Sequence, residues 1–178
     1  ILSNLSLDLN RERLHLINIL EQQPFSFIQT SIDSMNESEH RILRKGTELS
    51  KILSNIKLLQ KKNIKIKVNT TVSQYNYKSI MDVVRYVYNE GIESLHINHV
   101  LPFGRAKGIT DDKFFIDIIH SLLEVASSKE FNGIKEHSIT FPSESIPISF
   151  IGSKYEDILK VYANGNKNKY LSSQSIFN

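Results

Sequence analysis

One short stretch, Phe27-Ile28-Gln29-Thr30-Ser31-Ile32-Asp33, constrains the fold more than any other. Its alternation is that of a β-strand with unlike faces: Ile28, Thr30 and Ile32 point one way, Gln29, Ser31 and Asp33 the other. Two later stretches repeat it. In residues 64–71, Ile64, Ile66 and Val68 oppose Lys65, Lys67, Asn69 and Thr71; in residues 95–99, Leu95 and Ile97 oppose His96 and Asn98. Helical patterns lie between the three, and alternating strands and helices imply parallel pairing. Parallel sheets are usually apolar on both faces, and closed barrels fill their centre with branched aliphatics. Here one face is apolar and can take helices, while the other stays polar on three strands. That pattern implies an α/β sheet whose polar face lines a ligand.

The 178 residues suit about one domain. No apolar run approaches the ~18 residues of a membrane span, and no signal or transit segment is visible, which favours a cytoplasmic setting and no membrane partner. The net charge of +3 admits an anionic ligand but is far from the concentrated basic face of a nucleic-acid protein. The chain has no cysteine, which excludes disulfides and thiolate metal sites within these residues.

Residues 1–4 read as the end of a strand. Asn10 caps a helix to about Glu21, with Leu14, Ile17 and Leu20 buried, and Pro24 closes the connection. After Asp33, Asn36 and Glu39 have capping-box spacing for a short helix stopped by Gly46. Thr47 is placed to cap a second helix carrying Leu49, Ile52, Leu53, Ile56 and Leu59, ended by Asn63. Asn76 starts a helix burying Ile80, Val83, Val84, Val87 and Tyr88, and Gly91 ends it. A loop over residues 101–108 comes after the third strand. Thr110 then caps a helix with Phe114, Phe115, Ile118, Ile119, Leu122 and Leu123. This gives residues 1–128 as the α/β unit and 129–178 as a weakly structured extension or linker. Within the extension, residues 138–141 form a candidate strand, Pro142 and Pro147 interrupt the next stretch, 155–162 form a candidate short helix, and 164–178 are polar.

Ligands of α/β folds bind at the carboxyl ends of the strands. Those ends carry Ser31 and Asp33, Asn69 and Thr71, and Asn98 and His99. Their equivalent positions on successive strands favour a site, although each residue type also caps turns. Arg44, near the end of the first short helix, can fold back to grip a carboxylate with two prongs, or stay solvated beside Arg41 and Lys45 at a helix end. The six histidines do not form a metal site by spacing: His96 and His99 point to opposite faces of one strand, and His40 and His137 lack partners. No nucleophile elbow, phosphate loop or dinucleotide fingerprint occurs. The lysines at 61, 62, 65 and 67 read as a solvated helix end and strand start, without the aromatics of a single-strand binder.

An ordered set of short matches resembles the radical S-adenosylmethionine (radical SAM) superfamily, most of all its peptide- and cofactor-maturing branch with the SPASM extension. The set is Ser31-Ile32-Asp33-Ser34, His40, Arg44 to Gly46, Ile56-Lys57-Leu58-Leu59, Val68-Asn69-Thr70-Thr71-Val72, Asn76, Glu90-Gly91-Ile92 and Leu101-Pro102-Phe103-Gly104-Arg105-Ala106. It runs over about residues 28–107, and Leu2-Ser3-Asn4 resembles the preceding family strand. The resemblance implies a partial (β/α) barrel holding S-adenosylmethionine beside a 4Fe-4S cluster. It implies that Ser31 contacts the ribose or amino acid moiety, that Arg44 binds the carboxylate, that Asn69 lines the cavity, and that the backbone at Val100 and Leu101 cradles adenine. Asp33, Thr71 and Asn98 fall to the substrate cavity.

The family's three cluster cysteines fall before Ile1 in its order, and neither they, its glycine-rich segment nor the cysteines of a C-terminal cluster region occur here. The expectation is therefore an internal segment of a longer enzyme, inactive alone. Its parent would abstract hydrogen from a peptide or small-molecule cofactor precursor through a 5′-deoxyadenosyl radical, with an electron donor such as flavodoxin or ferredoxin. Two other readings stay open: a non-catalytic half-barrel that binds a peptide or nucleotide, and a cluster-free (β/α) enzyme using strand-end Asp and His as acid and base.

Overall fold

Four parallel strands form one sheet in chain order: β1 (Phe27–Ser31), β2 (Lys65–Val72), β3 (Ser94–His99) and β4 (Glu136–Thr140). The computed structural model describes residues 3, 5–6, 15, 17–19, 21–22, 27–100 and 114–140. Between the strands lie α1 (Glu37–Leu43), α2 (Leu49–Lys61), a 3-10 turn (Tyr77–Ser79), α3 (Ile80–Asn89), α4 (Phe115–Ser127) and α5 (Lys129–Asn132). Doubly wound sheets reverse their strand order at a switch point. This sheet does not, so each crossover turns the same way and the architecture is a sector of a (β/α) barrel.

The alternation read from the sequence sets the register. Ile28 pairs with Ile66, Thr30 with Val68, Val68 with Leu95, and Ile97 with Ile139, all buried on one face. Ile52, Ile56 and Leu59 of α2, Val83, Val84 and Val87 of α3, and Leu122 and Leu123 of α4 join them in one core. Each such aliphatic contributes about 1.5–3 kcal/mol when buried. The pleat leaves Gln29, Ser31, Lys67, Asn69, Thr71, His96 and Asn98 on the opposite face, half-buried.

Ser3 donates from its N–H to the Gln29 carbonyl at 2.9 Å, beside β1. Residues 15, 17–19 and 21 are helical and Ile17 is buried; Asn10, Leu14, Leu20 and Pro24 lie outside the described residues. So do the 101–108 loop, Thr110 and the candidate helix at 155–162. β4 lies in the span set apart as an extension, and its partner is β3.

Several local expectations need correcting. Asn36 caps α1, accepting from the N–H groups of Ser38 and Glu39, but the return arm of a capping box is missing. Glu39 instead accepts from the hydroxyls of Ser34 and Ser79, tying α1 to the start of α3. Thr47 does not cap α2; its hydroxyl donates to the Arg44 carbonyl. The Glu37 carboxylate, from the preceding helix, accepts from Leu49 and Ser50 N–H. Tyr88 is 45% exposed rather than buried, with its ring lying over Gly133, where a Cβ would sit 2.6 Å from it. Gly46 and Gly91 do end their helices, at φ +80 and +64.

Candidate functional site

The site begins where β1 stops. Asp33 lies just past that strand and is 3% exposed, too buried for a lone carboxylate. Its Oδ1 accepts the Thr71 N–H at 2.8 Å, and the Arg44 guanidinium lies alongside, with Nη2 donating to Oδ1 at 3.4 Å and Nε 2.6 Å from Oδ2. The Nε–H is buried and not aimed along that line, so the short approach is an ion-pair contact rather than a second hydrogen bond. Arg44 reaches Asp33 because α1 is short and its last turn brings the side chain back over the strand end.

Asn76 locks this corner. Its side-chain N–H group donates to the carbonyls of Asp33 and Thr71, while its Oδ1 accepts from the N–H and hydroxyl of Ser73. A residue expected only to start a helix thus clamps the ends of β1 and β2. His40 is fully buried, and neither ring nitrogen has a hydrogen-bond partner among the described residues. Burial holds its pKa below the usual value; Arg44 adds to this, and Asp33 and Glu37 oppose it.

Across the polar face, register sets Ser31 beside Asn69, Asn69 beside His96, and His96 beside Ser138; one step on, Thr71 neighbours Asn98 and Asn98 neighbours Thr140. Val100 comes directly after β3, its N–H donating to Val72 O at 2.8 Å. Leu101 lies outside the described residues. The candidates thus form two adjoining groups, Ser31 with Asn69 and Asp33 with Arg44 and Thr71, with Asn98 beside the second.

The remaining polar contacts have no counterpart among the sequence expectations. His96 Nδ1 lies 2.6 Å from Ser138 Oγ, and Lys67 pairs with Glu136 at 2.9 Å while sitting over the Phe27 ring. Burial, then Lys67, lowers the His96 pKa against the pull of Glu136. These partners come from β4, 42 and 69 residues away along the chain, so no local spacing reveals them.

The residues can be tested against the implied groups. Asn69 Oδ1 is a buried acceptor on the polar face with no hydrogen-bond partner among the described residues. With Ser31 alongside and Arg44 nearby, the set suits a ligand that carries hydroxyls and a carboxylate, as S-adenosylmethionine does. A 4Fe-4S cluster does not fit these residues: the chain has no cysteine, and the described residues hold no grouping of His, Cys, Asp or Glu able to ligate a metal.

No protein-family model matches the chain. A GTP 3',8-cyclase of Clostridium perfringens is 25% identical over 112 residues, which are 61% of this chain and 34% of the cyclase. Streptococcus suis SuiB, solved bound to S-adenosylmethionine, matches with a TM-score of 0.61 at 11% identity, over 78% of this chain and 32% of SuiB. The protein anSMEcpe, solved with AdoMet and the Kp18Cys peptide, matches at 0.57 and 17% identity, over 79% and 39%. The chain spans about a third of the relatives it matches. It has the α/β fold of these two S-adenosylmethionine-bound proteins, and its similarity to the cyclase supports the likeness to the radical SAM superfamily.

Proposed function

We propose that this chain supplies the S-adenosylmethionine contacts and part of the substrate cavity of a radical SAM enzyme that modifies a peptide or a cofactor precursor. The observation that carries the reading is the buried, unpartnered Asn69 Oδ1 beside Ser31 on a polar sheet face, with an arginine at the strand ends. When bound, S-adenosylmethionine supplies the hydrogen-abstracting group in this family. The chain's own part is to bind and orient it. Asn69 Oδ1 accepts from a ligand hydroxyl or amine, Ser31 contacts the ribose or amino acid moiety, Arg44 holds the carboxylate, and the backbone at Val100 and Leu101 borders the adenine. Asp33, Thr71 and Asn98 border the substrate. No step through a cluster is assigned to these residues, because they contain no ligands for one. A peptide substrate has support from anSMEcpe, solved with a peptide, and a small-molecule substrate from the cyclase. A flavodoxin or ferredoxin would serve as the electron donor of the whole enzyme.

Calorimetric titration of this chain with S-adenosylmethionine tests the reading. Binding is expected, and Arg44→Gln weakens it by about tenfold to a hundredfold, the worth of a charge-assisted contact. Asn69→Leu weakens it as well, since it removes the acceptor. Absence of binding by the unaltered chain would overturn the proposal. Iron and acid-labile sulfide in the protein purified anaerobically from its source cells separate a radical enzyme from a non-catalytic binding module.

A further inference from the structure

A guanidinium has two useful hydrogen-bonding edges: one formed by Nε and Nη2, the other by Nη1 and Nη2. In Arg44 the first lies against Asp33, with Nη2 bonded to Oδ1 and Nε in ion-pair contact with Oδ2 at 2.6 Å. The second has no partner among the described residues, and the side chain keeps 30% exposure although its Nε is buried. Asp33 itself cannot swing. Its Oδ1 is tied to the Thr71 N–H, and its backbone carbonyl is held by Asn76. We propose that Asp33 is a positioning residue that grips the inner edge of Arg44 and aims the outer edge, as a two-pronged fork, at the carboxylate of the ligand.

The proposal rests on the reading that Arg44 meets a ligand carboxylate. It adds that Asp33 does not compete for Arg44 and does not touch the S-adenosylmethionine carboxylate. A free arginine samples many rotamers, and ordering it on binding costs affinity; an arginine already fixed by a buried carboxylate avoids that cost. The arrangement also demands arginine, since a lysine ammonium has no second planar edge to offer.

The test compares S-adenosylmethionine with its decarboxylated analogue on the unaltered chain and on Asp33→Asn. Asparagine keeps the Oδ1 acceptor for the Thr71 N–H, so the corner is retained while the carboxylate charge facing Arg44 is lost. The expected result is about tenfold weaker binding of S-adenosylmethionine by the variant, with binding of the decarboxylated analogue unchanged. The Arg44 Nε–H resonance of the ligand-free chain should also exchange faster with water in the variant. Equal binding of S-adenosylmethionine by both chains would overturn the proposal and leave the reading of the site intact. Loss of both ligands in the variant would overturn it too, by making Asp33 merely structural. If the unaltered chain binds neither ligand, the reading of the site fails and the proposal falls with it. Arg44→Lys gives a second check: it should discriminate against S-adenosylmethionine alone, and retention of full affinity would overturn the two-edge geometry.

Discussion

His40 is a fully buried imidazole whose two ring nitrogens have no hydrogen-bond partner among the described residues. Its pKa is lowered chiefly by burial, and so is that of His96. The folded chain therefore binds these protons less readily than the unfolded chain. Their contribution to stability is full above the unfolded value of about 6.5 and is lost as the pH falls below it. His40→Leu removes both buried nitrogens and should raise stability at pH 7.5 by about 1 kcal/mol. It should also reduce the loss of stability between pH 7.5 and 5, with His96 keeping its own share. Urea unfolding at the two pH values reads both effects, and an unaltered pH difference would assign the acid sensitivity elsewhere.

At the scale of elements, the connections between strands are held by residues borrowed from other elements. Glu37 of α1 caps α2, Glu39 of α1 holds the start of α3, and Asn76 joins the ends of β1 and β2. Asn76 is 1% exposed, and its amide makes four hydrogen bonds, two through Nδ2 and two through Oδ1. Asn76→Ala should therefore destabilise by about 2–4 kcal/mol, since buried carbonyls and an N–H lose their partners. Asn76→Asp should fail to restore it, because a carboxylate cannot donate to the Asp33 and Thr71 carbonyls. Thermal unfolding of the two variants measures this; a loss below about 0.5 kcal/mol, the range of ordinary surface changes, would show that water replaces the clamp.

For the whole molecule, the order β1-β2-β3-β4 makes β2 and β3 the interior strands of the described sheet. Val68, Val72, Leu95 and Ile97 on them are fully buried. Backbone amides of β2 and β3 should exchange with solvent most slowly, those of β1 and β4 sooner, with α1 early because few of its residues are buried. Hydrogen exchange followed by NMR gives that order directly. Exchange of β1 as slow as β2 would mean that its outer edge is covered more fully than the Ser3 bond to Gln29 indicates.

Alternation in residues 28–33, 64–71 and 95–99 determined the parallel α/β sheet and its two faces, because side chains on a strand must alternate and only one set was apolar. The same spacing put Ser31, Asn69, Thr71 and Asn98 on one face, where the structure has them. Helix periodicity likewise located the core of α2, α3 and α4. What tertiary structure alone decided was partnership. That Arg44 meets Asp33, that Asn76 clamps two strands, that Glu37 rather than Thr47 caps α2, and that His96 meets Ser138 all depend on segments brought together by the crossovers. A polar residue in a sequence states what it can donate or accept. The fold determines which group it meets, because burial removes water as the alternative and register fixes the neighbour.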